Sequence, residues 1–206
     1  MNESFEKFLN ALWPQKCLAC DQLVNLETFC QFCEASIRPA DAAAVFMFSG
    51  AIRTAIQQAK FMPNESKARR LIAYASQHTA SEYASLEGIV FVPIHWRRRI
   101  HRGFDLSALF AIMLSKQLGI PVRDWLRNIR FDKALTLAKS REERIKLTQG
   151  RYALRRRRSS SRVLLVDDVT TTGATLEAAK SALTAAGHEV HCYTLAKTPA
   201  RGKVDT

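Results

Sequence analysis

Residues 163–175 have the sequence VLLVDDVTTTGAT. The first four residues are apolar, which predicts a buried strand, and two adjacent carboxylates, Asp167 and Asp168, follow it directly. A short loop of threonine and glycine comes next, and residues 176–183 (LEAAKSAL) are good helix formers. The stretch therefore predicts a strand, a loop and the start of a helix.

The predicted loop has the chemistry of a phosphate site. Its backbone N–H groups and the positive end of the following helix face an incoming anion, and Gly173 allows the backbone to come close. Hydroxyl donors are added by Thr171, Thr172 and Thr175. The two carboxylates repel a phosphate, but their oxygens can accept hydrogen bonds from the diol of a sugar. A diol site beside a phosphate site suits a phosphorylated ribose.

The stretch resembles the phosphoribosyl-pyrophosphate (PRPP) motif of type I phosphoribosyltransferases, in which four apolar and two acidic residues precede a loop ending in Thr-Gly-x-Thr. The alternative is a chance strand, turn and helix in an ordinary doubly wound domain. Purine-salvage members often carry Asp where this chain has Thr171, so a purine-salvage role is disfavoured. The resemblance implies that the PRPP-binding residues are Asp167, Asp168, Thr171, Thr172, Gly173, Ala174 and Thr175.

A second apolar strand is predicted at residues 88–94 (GIVFVPI), and the basic segment HWRRRIHRGFD, residues 95–105, follows it. Open α/β sheets bind ligands at the carboxyl ends of parallel strands, so this segment is expected to be a basic loop facing the pyrophosphate of the same ligand. A nucleic-acid patch or a solvated turn is the alternative.

Residues 92–105 (VPIHWRRRIHRGFD) also resemble the VP-x-H-xx-R-xxx-RGFNQ segment of the ComF/GntX family, the competence and DNA-utilisation branch of the phosphoribosyltransferase fold. The other family features occur in the same order: a four-cysteine module, Lys60-Phe61, Thr136 and Ser140 to Arg144. The chain departs from the family at three polar positions, which here are Asp105-Leu106, Lys139 and Leu147.

The resemblance implies roles for particular side chains in a phosphoribosyl transfer. Cationic groups would stabilise the departing pyrophosphate, and the carboxylates would hold a ribose that becomes oxocarbenium-like. Mg²⁺ would arrive with PRPP, because it binds through few carboxylates and many waters. The candidate catalytic residues are Asp167, Asp168 and Arg102, and the pyrophosphate-end candidates are Lys60, Arg97, Arg102 and Gly103.

The N-terminal part contains two CxxC pairs separated by nine residues. Tetrahedral zinc takes four thiolates at about 2.3 Å, and each CxxC turn supplies two of them. Four thiolates leave no open position, so the metal is predicted to be structural. The ligands would be Cys17, Cys20, Cys30 and Cys33.

Composition adds a formal net charge of +12, with arginines clustered at residues 97–99 and 155–158. Such a balance favours anionic partners, which include phosphates and nucleic acid, although a solvated basic face is the alternative. The chain has no run of eighteen apolar residues and no signal-peptide pattern at its start. We therefore expect a cytoplasmic location without a membrane span.

The alternation of elements predicts an α/β fold with a Rossmann-like parallel sheet of the type I phosphoribosyltransferase kind. Residues 1–40 are expected to form an N-terminal helix and the zinc module, and residues 41–206 the phosphoribosyltransferase-like domain. Predicted strands lie at 43–48, 89–94, 163–166 and 189–195, and predicted helices at 51–60, 65–83, 106–118 and 174–186. The family resemblance implies a mobile loop at 132–140 that closes over the site.

Two functions remain open. The first is a PRPP-binding phosphoribosyltransferase-like protein, with enzymatic turnover undecided and a role in DNA uptake implied by the ComF resemblance. The second is a non-catalytic adaptor that binds single-stranded DNA or DNA-uptake proteins and retains the fold.

Overall fold

The computed structural model describes residues 15–25, 27–62, 64–79, 82–129, 150–156 and 159–199. In chain order the elements are β1 (Gln15–Lys16), β2 (Leu23–Val24), α1 (Gln31–Glu34), β3 (Ala44–Met47), α2 (Gly50–Phe61), α3 (Glu65–Ser76), a 3₁₀ turn (Glu82–Ser85), β4 (Gly88–Phe91), α4 (Trp96–Arg102), α5 (Leu106–Leu118), β5 (Val122–Arg123), β6 (Leu126–Asn128), β7 (Tyr152–Leu154), β8 (Arg162–Thr170), α6 (Ala174–Thr184) and β9 (Glu189–Lys197).

Within the described residues, the main sheet has five strands in the order β3, β9, β8, β4, β5, and every neighbouring pair is parallel. Strand β8 lies in the centre of the sheet, hydrogen-bonded to β9 on one side and to β4 on the other. The predicted parallel sheet is confirmed. The carboxyl ends of β4 and β8 meet at one edge, since Phe91 is paired with Val166.

Both faces of the sheet are covered by helices. Val163 and Leu165 pack with α6 on one face, whereas Leu164 and Val166 join the core that α2, α3 and α5 form on the other. Successive side chains of a strand point to opposite faces, so a strand buried on both sides must be apolar at every position. This explains the uninterrupted apolar run before the acidic pair.

The four-cysteine module packs on the same core as α2 and α3. Leu18 and Phe29 are buried there beside Tyr74, whose ring is 5.0 Å from that of Phe29 in an edge-on arrangement. The short antiparallel pair β1–β2 carries the first CxxC turn. The division into residues 1–40 and 41–206 stays a prediction.

Some predicted elements differ from the structure. Strand β8 does not end at Val166 but continues through the acidic pair to Thr170, paired with β9. The segment after β4 is not a loop throughout but contains helix α4, because His95 Nδ1 accepts a hydrogen bond from the backbone N–H of Arg97 and Gly103 ends the helix with a φ of 79°. The helix predicted at 65–83 ends at Ser76, where the Thr79 hydroxyl donates to the free Ser76 carbonyl.

Strands β6 and β7 form a separate antiparallel pair beside the cavity described below. The segment between them, residues 130–149, lies outside the described residues, and it includes the predicted loop at 132–140 with Thr136, Lys139, Ser140 to Arg144 and Leu147. The predicted N-terminal helix also lies outside them. Within the described ranges, no helix is both long enough and apolar enough to cross a bilayer.

Candidate functional site

A cavity of about 170 Å³ opens at the carboxyl edge of the sheet, where β4 and β8 end. Its described walls come from the end of α2, the segment after β4, helix α4, the β6–β7 pair and the end of β8 with the following helix. The lining residues are Lys60, Val92, Pro93, Ile94, His95, Arg98, Arg102, Asn128, Arg151, Tyr152, Asp167, Asp168, Val169 and Thr175.

Asp167 is 6% exposed and rigidly held. Its Oδ1 accepts hydrogen bonds from the Ser107 hydroxyl at 2.9 Å and from the backbone N–H of Asp168 at 2.8 Å. Burial, and after it the charge of Asp168, raises the pKa of Asp167 well above its usual range. This carboxyl group therefore has a fixed orientation, set by the first turn of α5.

Asp168 is paired with a lysine from another part of the chain. The Lys60 Nζ lies 2.8 Å from Asp168 Oδ1, and both side chains are largely buried. The guanidinium of Arg102 is near enough for Asp168 to act on its pKa, although burial is the larger effect and lowers it. A sugar hydroxyl that binds Asp168 must therefore share it with Lys60 or displace the lysine.

The remaining charge on the described wall is positive. Lys60, Arg98, Arg102 and Arg151 surround the two carboxylates, and Arg151 is buried. Burial, followed by the charges of Arg97, Arg151 and Arg98, lowers the pKa of His95, which keeps this imidazole neutral at pH 7. A cavity with this excess of cations suits a ligand that carries several negative charges.

The loop after β8 presents the start of α6 to the cavity. Gly173 is the helix N-cap with a φ of 78°, and the Thr172 hydroxyl accepts a hydrogen bond of 3.5 Å from the backbone N–H of Ala174. An added Cβ at Gly173 would meet no atom, so glycine is needed for the backbone conformation and not for lack of space. Of residues 171–175, Thr175 lies on the described wall, and it belongs to the first turn of α6.

The structure brings together Lys60, Arg102, Asp167, Asp168 and Thr175 among the sequence-predicted residues. The other residues predicted for this site are not part of the described cavity wall, and they are Thr171, Thr172, Gly173, Ala174, Arg97 and Gly103. The Arg97 guanidinium is placed over the Trp96 ring, 5.3 Å from its centroid, and Gly103 forms the C-terminal cap of α4. The assignment of individual roles stays a prediction.

Several wall residues were not predicted as site residues. Arg98 belonged to the predicted basic cluster, but Asn128 and Tyr152 are register partners in the β6–β7 pair, and Arg151 directly precedes β7. Asn128 Nδ2 also donates to the Pro93 carbonyl at 3.3 Å, which fixes this pair against the segment after β4. No local pattern marked these positions.

Asp105 joins the segment after β4 to the start of α5. Its Oδ2 accepts from the backbone N–H of Ile94 at 3.0 Å, and its Oδ1 accepts from that of Ser107 at 3.1 Å. Burial is the main reason that the pKa of Asp105 rises to about 6. This residue thus fixes the cavity wall through Ile94 and orients Ser107 toward Asp167.

The raised pKa of Asp105 predicts a pH-dependent stability. The folded chain keeps a proton on this group that the unfolded chain has released, so stability falls as pH rises from about 4 through about 6. Between pH 4.5 and pH 8, ionisation of this group should lower the free energy of unfolding by roughly 2 kcal/mol. In Asp105→Asn this contribution to the pH dependence should be absent, as measured by urea unfolding at both pH values. The exposed control Asp124→Asn should keep the wild-type slope; an unchanged slope in Asp105→Asn would contradict the prediction.

The four N-terminal cysteines form a second candidate site. Their sulfur atoms all lie within 4.8 Å of one another, and the Cys20 and Cys30 sulfurs are 3.6 Å apart. Four thiolates around a zinc ion at about 2.3 Å would be separated by slightly under 4 Å, so the arrangement fits a tetrahedral Cys₄ site. The residues could hold zinc in a closed, structural role.

The parallel five-stranded sheet, with an acidic pair and a Thr-Gly-x-Thr loop at its carboxyl edge, is the type I phosphoribosyltransferase fold. Residues 105–206 match the family model of the phosphoribosyl transferase domain. The match covers just under half of the chain and agrees with this fold. A search of curated proteins gave no match.

Several solved structures are similar to the chain. An orotate phosphoribosyltransferase from Aeropyrum pernix is 19% identical, with a TM-score of 0.39 over 69% of this chain and 64% of that one. The glutamine PRPP amidotransferase from B. subtilis is 22% identical, with a TM-score of 0.40 over 62% of this chain and 26% of that one. An adenine phosphoribosyltransferase from Leishmania donovani is 15% identical, with a TM-score of 0.40 over 78% of this chain and 74% of that one.

The chain thus spans 64% of the Aeropyrum pernix enzyme and about a quarter of the B. subtilis amidotransferase.

Proposed function

We propose that the protein binds PRPP in the cavity at the carboxyl edge of the sheet. The observation that carries the proposal is the acidic pair, Asp167 and Asp168, set in a cavity whose other charged groups are lysine and arginine. The carboxylates suit the ribose hydroxyls, the loop before α6 suits the 5′-phosphate, and the cations suit the pyrophosphate.

The charges define what this site can do to PRPP. Lys60 is held by Asp168 at 2.8 Å, so a ribose hydroxyl arriving at Asp168 would free the ammonium group for the pyrophosphate. Arg102, half-buried beside the same carboxylate, can hold the leaving group from the α4 side. Magnesium that accompanies PRPP would neutralise part of the pyrophosphate charge. The residues are thus suited to binding the donor and stabilising its departing group.

We place the protein, within this proposal, in the ComF/GntX family, with a cytoplasmic role in DNA uptake or utilisation. The segment at residues 92–105 and the four-cysteine module support it. In the structure this segment supplies His95, Arg98 and Arg102 to the cavity wall, so the residues that resemble the family also lie at the site.

A second candidate function is a non-catalytic adaptor for single-stranded nucleic acid. The supporting observation is the outer side of α4, where Trp96 is 56% and Ile100 75% exposed beside the exposed Arg97 and Arg99. Aromatic rings stack on bases and arginines contact phosphates in such proteins, with little dependence on sequence. This surface adjoins the cavity, so both functions can share the fold.

A calorimetric titration with PRPP and Mg²⁺ tests the proposal. The wild type should bind, and Asp168→Ala should bind at least about 10-fold more weakly, because a charged hydrogen-bond acceptor is lost. Glu189 is an exposed carboxylate at the start of β9, at the edge of the sheet opposite the cavity. Glu189→Gln should therefore bind PRPP with the wild-type affinity. Absence of heat from the wild type would reject the PRPP site.

The same protein then separates the two candidates. Release of pyrophosphate with one member of a panel of free bases would establish a phosphoribosyltransferase. PRPP binding without release, together with binding of single-stranded DNA that weakens steeply with salt, would favour the adaptor.

A further inference from the structure

We infer that Gln58 is a positioning residue that couples the cysteine cluster to the cavity by fixing the last turn of α2, from which Lys60 reaches Asp168. The inference concerns regulation of the site assigned above, and its consequence for ligand binding rests on the proposed function.

Gln58 ties α2 to the first CxxC turn. Its Nε2 donates to the Ala19 carbonyl at 3.1 Å, and its Oε1 accepts from Lys67 Nζ at 3.0 Å. Lys67 in turn contacts Asp21 Oδ1 at 3.1 Å. Ala19 and Asp21 flank Cys20, so both polar contacts of the Gln58 side chain lead to the same metal-binding turn.

The turn presents these partners in a defined geometry. Asp21 has a φ of 58°, a left-handed conformation that non-glycine residues adopt infrequently, and its N–H donates to the Cys17 carbonyl. Four sulfur ligands on one ion would fix the turn and with it the Ala19 carbonyl. The position of the Gln58 side chain therefore depends on whether the cysteine cluster is ordered.

The last residues of α2 differ in burial. Ala59 is buried, but Phe61 and Met62, which follow Lys60, are 73% and 60% exposed. The backbone carbonyl of Gln58 accepts the capping N–H of Met62 at 2.9 Å. Gln58 thus restrains this turn by its side chain and its main chain, two residues before Lys60. The position of the Lys60 ammonium follows from that restraint.

Coupling between two sites is reciprocal. If an ordered cysteine cluster places Lys60 for the ligand, zinc strengthens PRPP binding, and PRPP must raise the affinity for zinc by the same factor. A purely structural Gln58 would change stability alone and would leave this mutual effect in place.

The first arm of the test measures the chemical reactivity of the Lys60 ammonium group in the absence of PRPP. Acetylation of lysines in the zinc-loaded full chain is quantified by peptide mass spectrometry for the wild type, Gln58→Ala and Gln57→Ala. Gln57 is the exposed neighbour on the same helix and serves as the matched control. In Gln58→Ala, Lys60 should react about 3- to 10-fold faster relative to Lys180 on α6, because it leaves Asp168 more often. Unchanged Lys60 reactivity would overturn the inference.

The second arm measures the coupling. PRPP with Mg²⁺ should raise the zinc affinity, measured by equilibrium competition with a colorimetric chelator, in the wild type and in Gln57→Ala, and this effect should disappear in Gln58→Ala, whose PRPP affinity falls about 3- to 10-fold. An equal gain in zinc affinity in all three proteins would refute the coupling. If the wild type binds no PRPP, the proposed function fails, whereas the Lys60 reactivity still decides whether Gln58 positions that lysine.

Discussion

Replacing Lys60 with methionine is expected to lower the free energy of unfolding by about 2–3 kcal/mol. The Lys60 ammonium and the Asp168 carboxylate are 19% and 11% exposed, so removing the lysine leaves a largely buried anion without its nearest cation. Arg102 remains close enough to Asp168 to offset part of the loss. The expected destabilisation is therefore smaller than for a buried ion pair without a second cation nearby. Urea unfolding at pH 7 measures the change.

A double-mutant cycle identifies the cause of that loss. In Lys60→Met/Asp168→Asn both charges are gone, so most of the stability lost in the single variant should return. Arg155→Met provides a control for an exposed pair, since Arg155 and Asp124 are about half exposed, and it should cost less than about 1 kcal/mol. Equal losses in the single and double variants would show that the lysine stem, and not its charge, stabilises the site.

Replacing Cys17 with serine is expected to remove the metal and to destabilise the protein by more than about 3 kcal/mol. Cys17 is fully buried, and the module packs Leu18 and Phe29 into the core that surrounds α3. Loss of a zinc ligand therefore exposes a part of the main core and not a peripheral loop.

Cys192→Ser is the matched control for this prediction. This cysteine packs with the α6 face of the sheet, remote in sequence from the cluster, so its replacement should leave the zinc content near one per chain. Metal content by mass spectrometry and thermal unfolding are measured on both variants. A wild-type chain that is folded but free of metal would refute the structural-zinc prediction.

The central elements could be predicted because their signals are local. The apolar run before Asp167 must be buried on both sheet faces, and Gly119, with a φ of 73°, marks the end of α5 where the sequence predicted it. Helix α4 was missed, since a seven-residue helix has no amphipathic repeat and depends on the His95 cap and the Gly103 turn.

The rest of the candidate site depends on contacts between distant residues. Asp167 and Asp168 were predicted as ligand residues, but their partners Ser107 and Lys60 lie 60 and 108 positions away in the chain. Tyr152 reaches the cavity through antiparallel pairing with Asn128 across an intervening segment. No periodicity within one segment encodes such pairings, because they arise only when the sheet and its helices assemble.

The central location of β8 has a consequence for how this molecule can diversify. The acidic pair extends from the strand with hydrogen-bonded neighbours on both sides, whereas Asn128 and Tyr152 stand on a two-stranded ribbon outside the main sheet. A substitution at Asn128, which is only partly buried, changes the opposite side of the cavity without removing a residue of the main sheet or of its core. The two sides of the cavity can therefore vary separately in sequence.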